Sequence, residues 1–137
     1  MTQAPPPVTV LAFDFGLRNI GVATGQAITR TASEIATVRA RDGVPDWNTV
    51  DALVRQWQPD ALLVGLPLNM DDTESEMSTR AKGFAKKLRS RYRLTVKLVD
   101  ERLTSFEARG ISDEIDTQHA IAARLIAETY LNALQRD

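Results

Sequence analysis

The chain has 137 residues, 43% hydrophobic and 26% charged, which fits one domain able to bury a proper core. With 17 basic and 18 acidic side chains the net charge is -1, so no global basic field announces nucleic acid, although distribution matters more than the sum. The absence of cysteine and the single histidine exclude disulfides, thiol catalysis and Cys- or His-cluster metal sites; any metal must rest mainly on carboxylates, which favours magnesium or manganese.

The opening MTQAPPPVTV lacks a basic n-region, and no stretch is apolar enough to span a membrane. The expectation is a cytoplasmic protein with no membrane partner. Residues 1–7 are Pro-rich and read as a mobile tail; residues 8–137 read as one domain without repeats.

Val8–Phe15 is a nearly continuous apolar run, the pattern of a central buried strand, and it contains one carboxylate, Asp14. A charge in such a strand is costly unless it is paired, solvated at a cleft or bound to a cation. Gly16–Asn19 reads as a turn and Ile20–Gly25 as a second strand, so the short connection predicts an antiparallel hairpin. Thr31–Val38 follows as a third strand, and Asp42-Gly43-Val44-Pro45 breaks the chain. Asp46 is placed to cap a helix carrying Val50, Leu53, Val54 and Trp57 at helical spacing, which Pro59-Asp60 stops. Ala61–Gly65 is a short apolar strand, and Leu66–Ser78 a polar loop. The helix Thr79–Tyr92 has an apolar stripe of Ala81, Phe84, Ala85 and Leu88 beside six basic residues, most simply a solvated face. Leu94–Val99 is the fifth strand, followed by a short helix near Ser105–Arg109 and a last helix over about Asp116–Leu134.

Early hairpins imply antiparallel pairing, and the later strand–helix alternation implies parallel strands with right-handed crossovers. The predicted fold is α/β, a mixed five-stranded sheet with helices on both faces.

Acidic groups recur where such a sheet places its chemistry, at the carboxyl ends of parallel strands. Asp14 lies in the first strand, Glu101 follows the fifth with Asp100 beside it, and Asp116 and His119 share a face at the start of the last helix. Gathered together, these carboxylates repel unless a cation neutralises them. Two divalent ions about 3.5–4 Å apart would do so and would also catalyse phosphodiester hydrolysis. Asp116 equally fits a carboxylate favoured by the helix dipole, and His119 a satisfied helix histidine. Arg18, Asn69 and Arg102, in loops beside the carboxylates, are candidate nucleic-acid contacts. Trp47 and Trp57 read as core, and Gly16, Gly21 and Gly65 as turn or close-packing residues.

Four ordered segments, FDFGLRNIGVA, VGLPLNMDDTES, VDERLTSFEA and AIAARLIAETYL, resemble the YqgF/RuvX family over almost the whole chain after the tail. The resemblance implies a ribonuclease H-like fold, kinship with Holliday-junction resolvases and nuclease processing of the 5′ end of pre-16S ribosomal RNA. It implies Asp14 and Glu101 as the first two metal-binding, catalytic carboxylates. At the third position the chain departs: counted back from Tyr130, the family's aspartate falls on His119, with Asp116 one turn earlier as the alternate. The segment GISDEID before the last helix is also shorter and more acidic than the family's basic loop. The implied cofactor is magnesium or manganese in a two-metal site, and the implied partner structured RNA more than branched DNA. Two other readings stand beside it. One is an actin-type phosphate-binding fold, for which the chain is too short to form two lobes. The other is a non-catalytic RNA- or ribosome-binding module that lost metal binding through His119.

Overall fold

The computed structural model describes residues 9–69, 71, 73–101 and 115–134, with side chains of the last segment described from residue 118. The tail over residues 1–7, the short helix near Ser105–Arg109, the segment GISDEID and Arg102 lie outside the described residues, as does the side chain of Asp116.

A single sheet organises the chain in the order β4-β3-β2-β1-β5-β6. Its strands are β1 (Thr9–Asp14), β2 (Asn19–Gln26), β3 (Thr31–Arg41), β4 (Val44–Pro45), β5 (Ala61–Leu66) and β6 (Thr95–Asp100). β1 pairs antiparallel with β2, and β2 with β3, whereas β5 runs parallel to both β1 and β6. The mixed sheet is as expected, but it has six strands rather than five. The extra strand, β4, is two residues long and pairs Val44 with Arg41 and Pro45 with Ala40. Its glycine and proline mark a chain break in sequence; here the break is a tight turn, with Gly43 at φ 82. β3 also runs three residues past Val38. The Ala40 N–H donates to Arg18 O and the Gly43 N–H to Leu17 O, so the β1–β2 loop extends the pairing.

The helices are α1 (Trp47–Trp57), α2 (Glu76–Tyr92) and α3 (Ile115–Leu134). Asp46 caps α1 as expected, accepting from the Asn48 N–H, and Gln58 ends it in a left-handed conformation before Pro59. α2 starts three residues earlier than Thr79. Ser75 accepts from the Ser78 N–H and the Ser78 hydroxyl answers at the Ser75 N–H, a reciprocal cap inside the segment read as loop.

Alternation along β1 sends its side chains to two cores. Leu11 and Phe13, with Phe15 beyond the strand, join Val50 of α1 and Ala81, Phe84, Ala85 and Leu88 of α2. Val10 and Ala12 join Leu63, Val99 and, from α3, Ile126 and Ala127. Helices thus cover both faces, and Asp14, in phase with Val10 and Ala12, belongs to the α3 face. Among the described residues no helix is long and apolar enough to cross a membrane.

Candidate active site

β1, β5 and β6 run parallel, so their carboxyl ends lie at one edge of the sheet. Asp14 ends β1 and Glu101 directly follows β6. Both are buried, at 6% and 9% exposure. His119 comes from the first turns of α3, and its Nδ1 lies 2.8 Å from Asp14 Oδ2.

Missing side chains bring these groups together. Asp14 pairs across the ladder with Gly21 of β2. A Cβ at Gly21 would lie 1.9 Å from the backbone oxygen of His119, so α3 rests on bare backbone there. A Cβ at Gly16 would lie 3.1 Å from His119 Cε1, and one at Gly65 3.2 Å from Glu101 Oε2 and 2.6 Å from Ile126 Cδ1. The glycines at 16, 21 and 65 therefore form the floor on which the imidazole and both carboxylates meet. In sequence they pass as turn or packing residues; their coincidence around the end of β1, in the loop after it and on the strands at either side, is the signal that singles them out.

Asp14 and Glu101 lie close enough for the Glu101 side chain to act on the Asp14 carboxyl. Burial pushes the Asp14 carboxyl above the ordinary carboxylate range, and the Glu101 hydrogen bond pulls against that rise. The imidazole, 27% exposed, forms the open side of the cluster.

Of the expected residues, the structure places His119 against Asp14 and brings Glu101 to the same end of the sheet, beside Gly65. Among the described residues no three His, Cys, Asp or Glu side chains converge on a common point for a metal ion. Asp116 stands one turn before His119 on α3. Arg18 is exposed on the β1–β2 loop beside the cluster. Asn69 is exposed too, and its amide donates to Thr73 Oγ1 while its backbone N–H donates to Thr73 O, which ties it into its own loop.

Residues 8–133 match the model of the family described as RuvX: Holliday junction resolvase. The chain belongs to the RuvX family. Relatives in the family carry, provisionally, the name pre-16S rRNA nuclease. One from Marinobacter nauticus is 60% identical over 101 residues, covering 74% of this chain and 71% of its own. One from Saccharophagus degradans is 48% identical over 130 residues, covering 89% and 92%. Among solved structures, RuvC from T. thermophilus in complex with a Holliday junction substrate superposes with a TM-score of 0.57 at 13% identity, covering 94% of this chain and 96% of that one. The yeast mitochondrial Holliday junction resolvase Ydc2 gives 0.55 at 9% identity, covering 89% and 77%. At such identities the structural likeness shows the shared fold. The RuvX chain is an α/β protein of the ribonuclease H-like, resolvase architecture.

Proposed function

We propose that this RuvX chain is a metal-dependent nuclease that hydrolyses phosphodiester bonds in structured RNA, maturing the 5′ end of pre-16S ribosomal RNA in the cytoplasm. The observation that carries this reading is the cluster itself. Two buried carboxyls lie at the same end of the sheet, an imidazole stands 2.8 Å from Asp14, and three glycines hold the space open. Burying such a pair costs stability, because two adjacent carboxylates ionise together only beside positive charge, and that cost marks the pair as a functional site.

The donor set fits a divalent ion. Asp14 and Glu101 supply hard oxygens, His119 adds a nitrogen that manganese accepts, and a cation would offset the cost of burying the Asp14 charge. Asp14, Glu101 and His119 would hold magnesium or manganese, with Asp116 the alternate third ligand. Bound there, the ions would activate the attacking water and stabilise the leaving oxygen. The chain's own residues supply the rest. Asp14 Oδ2 holds the imidazole at Nδ1, which fixes the ring plane and the direction of Nε2. Glu101, the second acidic group, stands beside Asp14 at the end of β6 as a candidate general base. Arg18 and Asn69, in loops at this end of the sheet, and Arg102, next in sequence to Glu101, would contact phosphates on either side of the scissile bond.

RNA is favoured as substrate by the names of the relatives. A second reading, branched DNA, is favoured by the family's description as a Holliday junction resolvase. Incubating the full chain with a pre-16S 5′ leader RNA and with a four-way DNA junction, each with magnesium or manganese, separates them. Cleavage of the leader and not the junction is the expected result; cleavage of the junction alone would move the assignment to DNA, and cleavage of neither would remove the nuclease reading.

A further inference from the structure

On the sheet face opposite the Asp14 cluster, α2 carries two neighbouring hollows. One, of about 150 Å³, is lined by Phe15, Gly43, Arg80, Gly83, Phe84 and Lys87 among others. The other, of about 470 Å³, is lined by Trp47, Lys86, Lys87, Ser90 and Arg91. Lys87 lines both, so the two hollows adjoin along the helix, and together they are called the groove.

Beneath it runs a row of aromatic rings. Phe15 and Phe84 are 5.3 Å apart, and Phe84 and Trp47 stack at 6.1 Å. Trp47 is therefore not core alone: it is half-exposed and forms part of the groove wall.

The groove's acids are already matched. Arg80 pairs with Asp42 at 3.3 Å, and Arg91 pairs with Asp51 at 2.7 Å while lying 4.8 Å over the Trp47 ring. Among the described residues, Lys86 and Lys87 have no ion-pair partner, so their two charges are uncompensated.

Gly83 adds an independent observation. It sits in the middle of α2, where glycine costs stability relative to alanine. Nothing in the fold asks for it: a Cβ there would meet no atom within 4 Å. It lines the first hollow. Bare backbone facing open space beside unpaired lysines suits the close approach of a ligand.

We propose that this groove binds a single-stranded nucleic-acid segment flanking the scissile bond, with Lys86 and Lys87 on successive phosphates and Gly83 and Trp47 lining the path. A strand suits the site because a charged backbone needs cations and its bases need flat apolar surfaces. The groove also starts at the right place. Phe15 directly follows Asp14 and turns to the opposite face, and exposed Arg18 lies on the loop that hydrogen-bonds the β3–β4 turn between cluster and groove. α2 begins at the end of the sheet where Asp14 lies, so the groove leads away from the site. The inference extends the nuclease reading by naming where the rest of the substrate lies.

The test is fluorescence anisotropy of the full chain with a labelled 16-nucleotide RNA and with DNA of the same sequence, at several salt concentrations without divalent metal. Lys86→Glu/Lys87→Glu is expected to weaken RNA binding by on the order of tenfold and to lower the salt slope by about 1.4, two single-strand phosphate contacts. Gly83→Gln is expected to weaken binding while keeping or raising the melting temperature. Arg30→Glu/Lys97→Glu makes the same change of charge away from the groove and is expected to bind within about twofold of the wild type, since only unspecific screening is altered. If the groove variants bind as the wild type does, or if the control loses as much, the proposal is overturned. DNA binding equal to RNA shows that the groove reads any single strand; weaker DNA binding assigns it to RNA. Because no cleavage is measured, a chain that cuts nothing yet loses affinity in the groove variants fails the nuclease reading alone. A chain that cuts RNA with unaltered groove-variant affinity fails this one alone.

Discussion

An alanine at position 21 would place its Cβ 1.9 Å from the backbone oxygen of His119, closer than any contact α3 can tolerate. The helix would have to lift, carrying the imidazole from Asp14. Overpacking of this kind costs about 1–3 kcal/mol. Gly21→Ala is expected to lower stability by that order in chemical denaturation and to lose cleavage; a variant unchanged in both would show that α3 does not depend on bare backbone at β2. Asp14 carries a different cost. Burial holds its carboxyl above the ordinary range, so the folded chain binds that proton more tightly than the unfolded one. Stability therefore falls as pH rises from the unfolded value through the folded one, and stays lowered above it. Without divalent metal, Asp14→Asn is expected to melt above the wild type at pH 7, with the gap closing as the pH falls through the raised folded value and gone once it reaches about 4. A lower melting temperature at pH 7 would mean that the His119 contact outweighs the desolvation of the charge. Asp14 is legible in the sequence because a carboxylate inside VLAFDF has few structural excuses. His119 is legible only by counting back from Tyr130, since a lone helix histidine has no local mark. The floor of glycines is not legible residue by residue, because each has an ordinary local explanation and only the sheet register brings them together.

Among the elements, α2 shows how a polar stretch conceals an ordered start. LPLNMDDTES reads as loop on composition, yet its Ser75 caps the helix, with the Ser75 hydroxyl donating to Pro67 O and the Ser78 hydroxyl to Ser75 O. Ser78 is fully buried under that cap. Losing such a cap costs about 1 kcal/mol. Ser75→Ala is expected to lower stability by that amount in urea denaturation with an unchanged m-value; no loss would show that the Ser78 half of the box holds the helix by itself. The long elements were legible because their periodicity extends over many residues. β4 was not, because two residues ending in proline carry no alternation, and its pairing depends on the turn at Gly43 and on the β1–β2 loop. Trp47 shows the same limit at the surface. With no basic residues interleaved around it in sequence, it reads as core, and it does pack against the core, but it also lines a groove that exists only after α1 and α2 are brought together.

At the scale of the molecule, strand order turns a scattered set of charges into a site. β1 is central, flanked by its antiparallel hairpin partner on one side and by two parallel strands on the other. That order puts the ends of β1 and β6 two strands apart, with Gly65 of β5 between them, and α3 closes over the gap. Residues 14, 101 and 119 come together only through this topology. The same strand order places Phe15 and α2 on the reverse face, so a nucleic-acid chain leaving the cluster meets unpaired lysines rather than bare acid. The net charge of -1 conceals this division, because Asp42 and Asp51 are consumed by arginines and the lysines are not. The most direct measurement is cleavage of a pre-16S 5′ leader by the full chain with manganese, comparing wild type with Asp14→Asn while RNA affinity is followed in parallel. Removing one charged oxygen at the centre of the cluster is expected to reduce the cleavage rate by on the order of a hundredfold or more while affinity changes little. Equal cleavage by the two proteins would contradict the placement of the chemistry at Asp14.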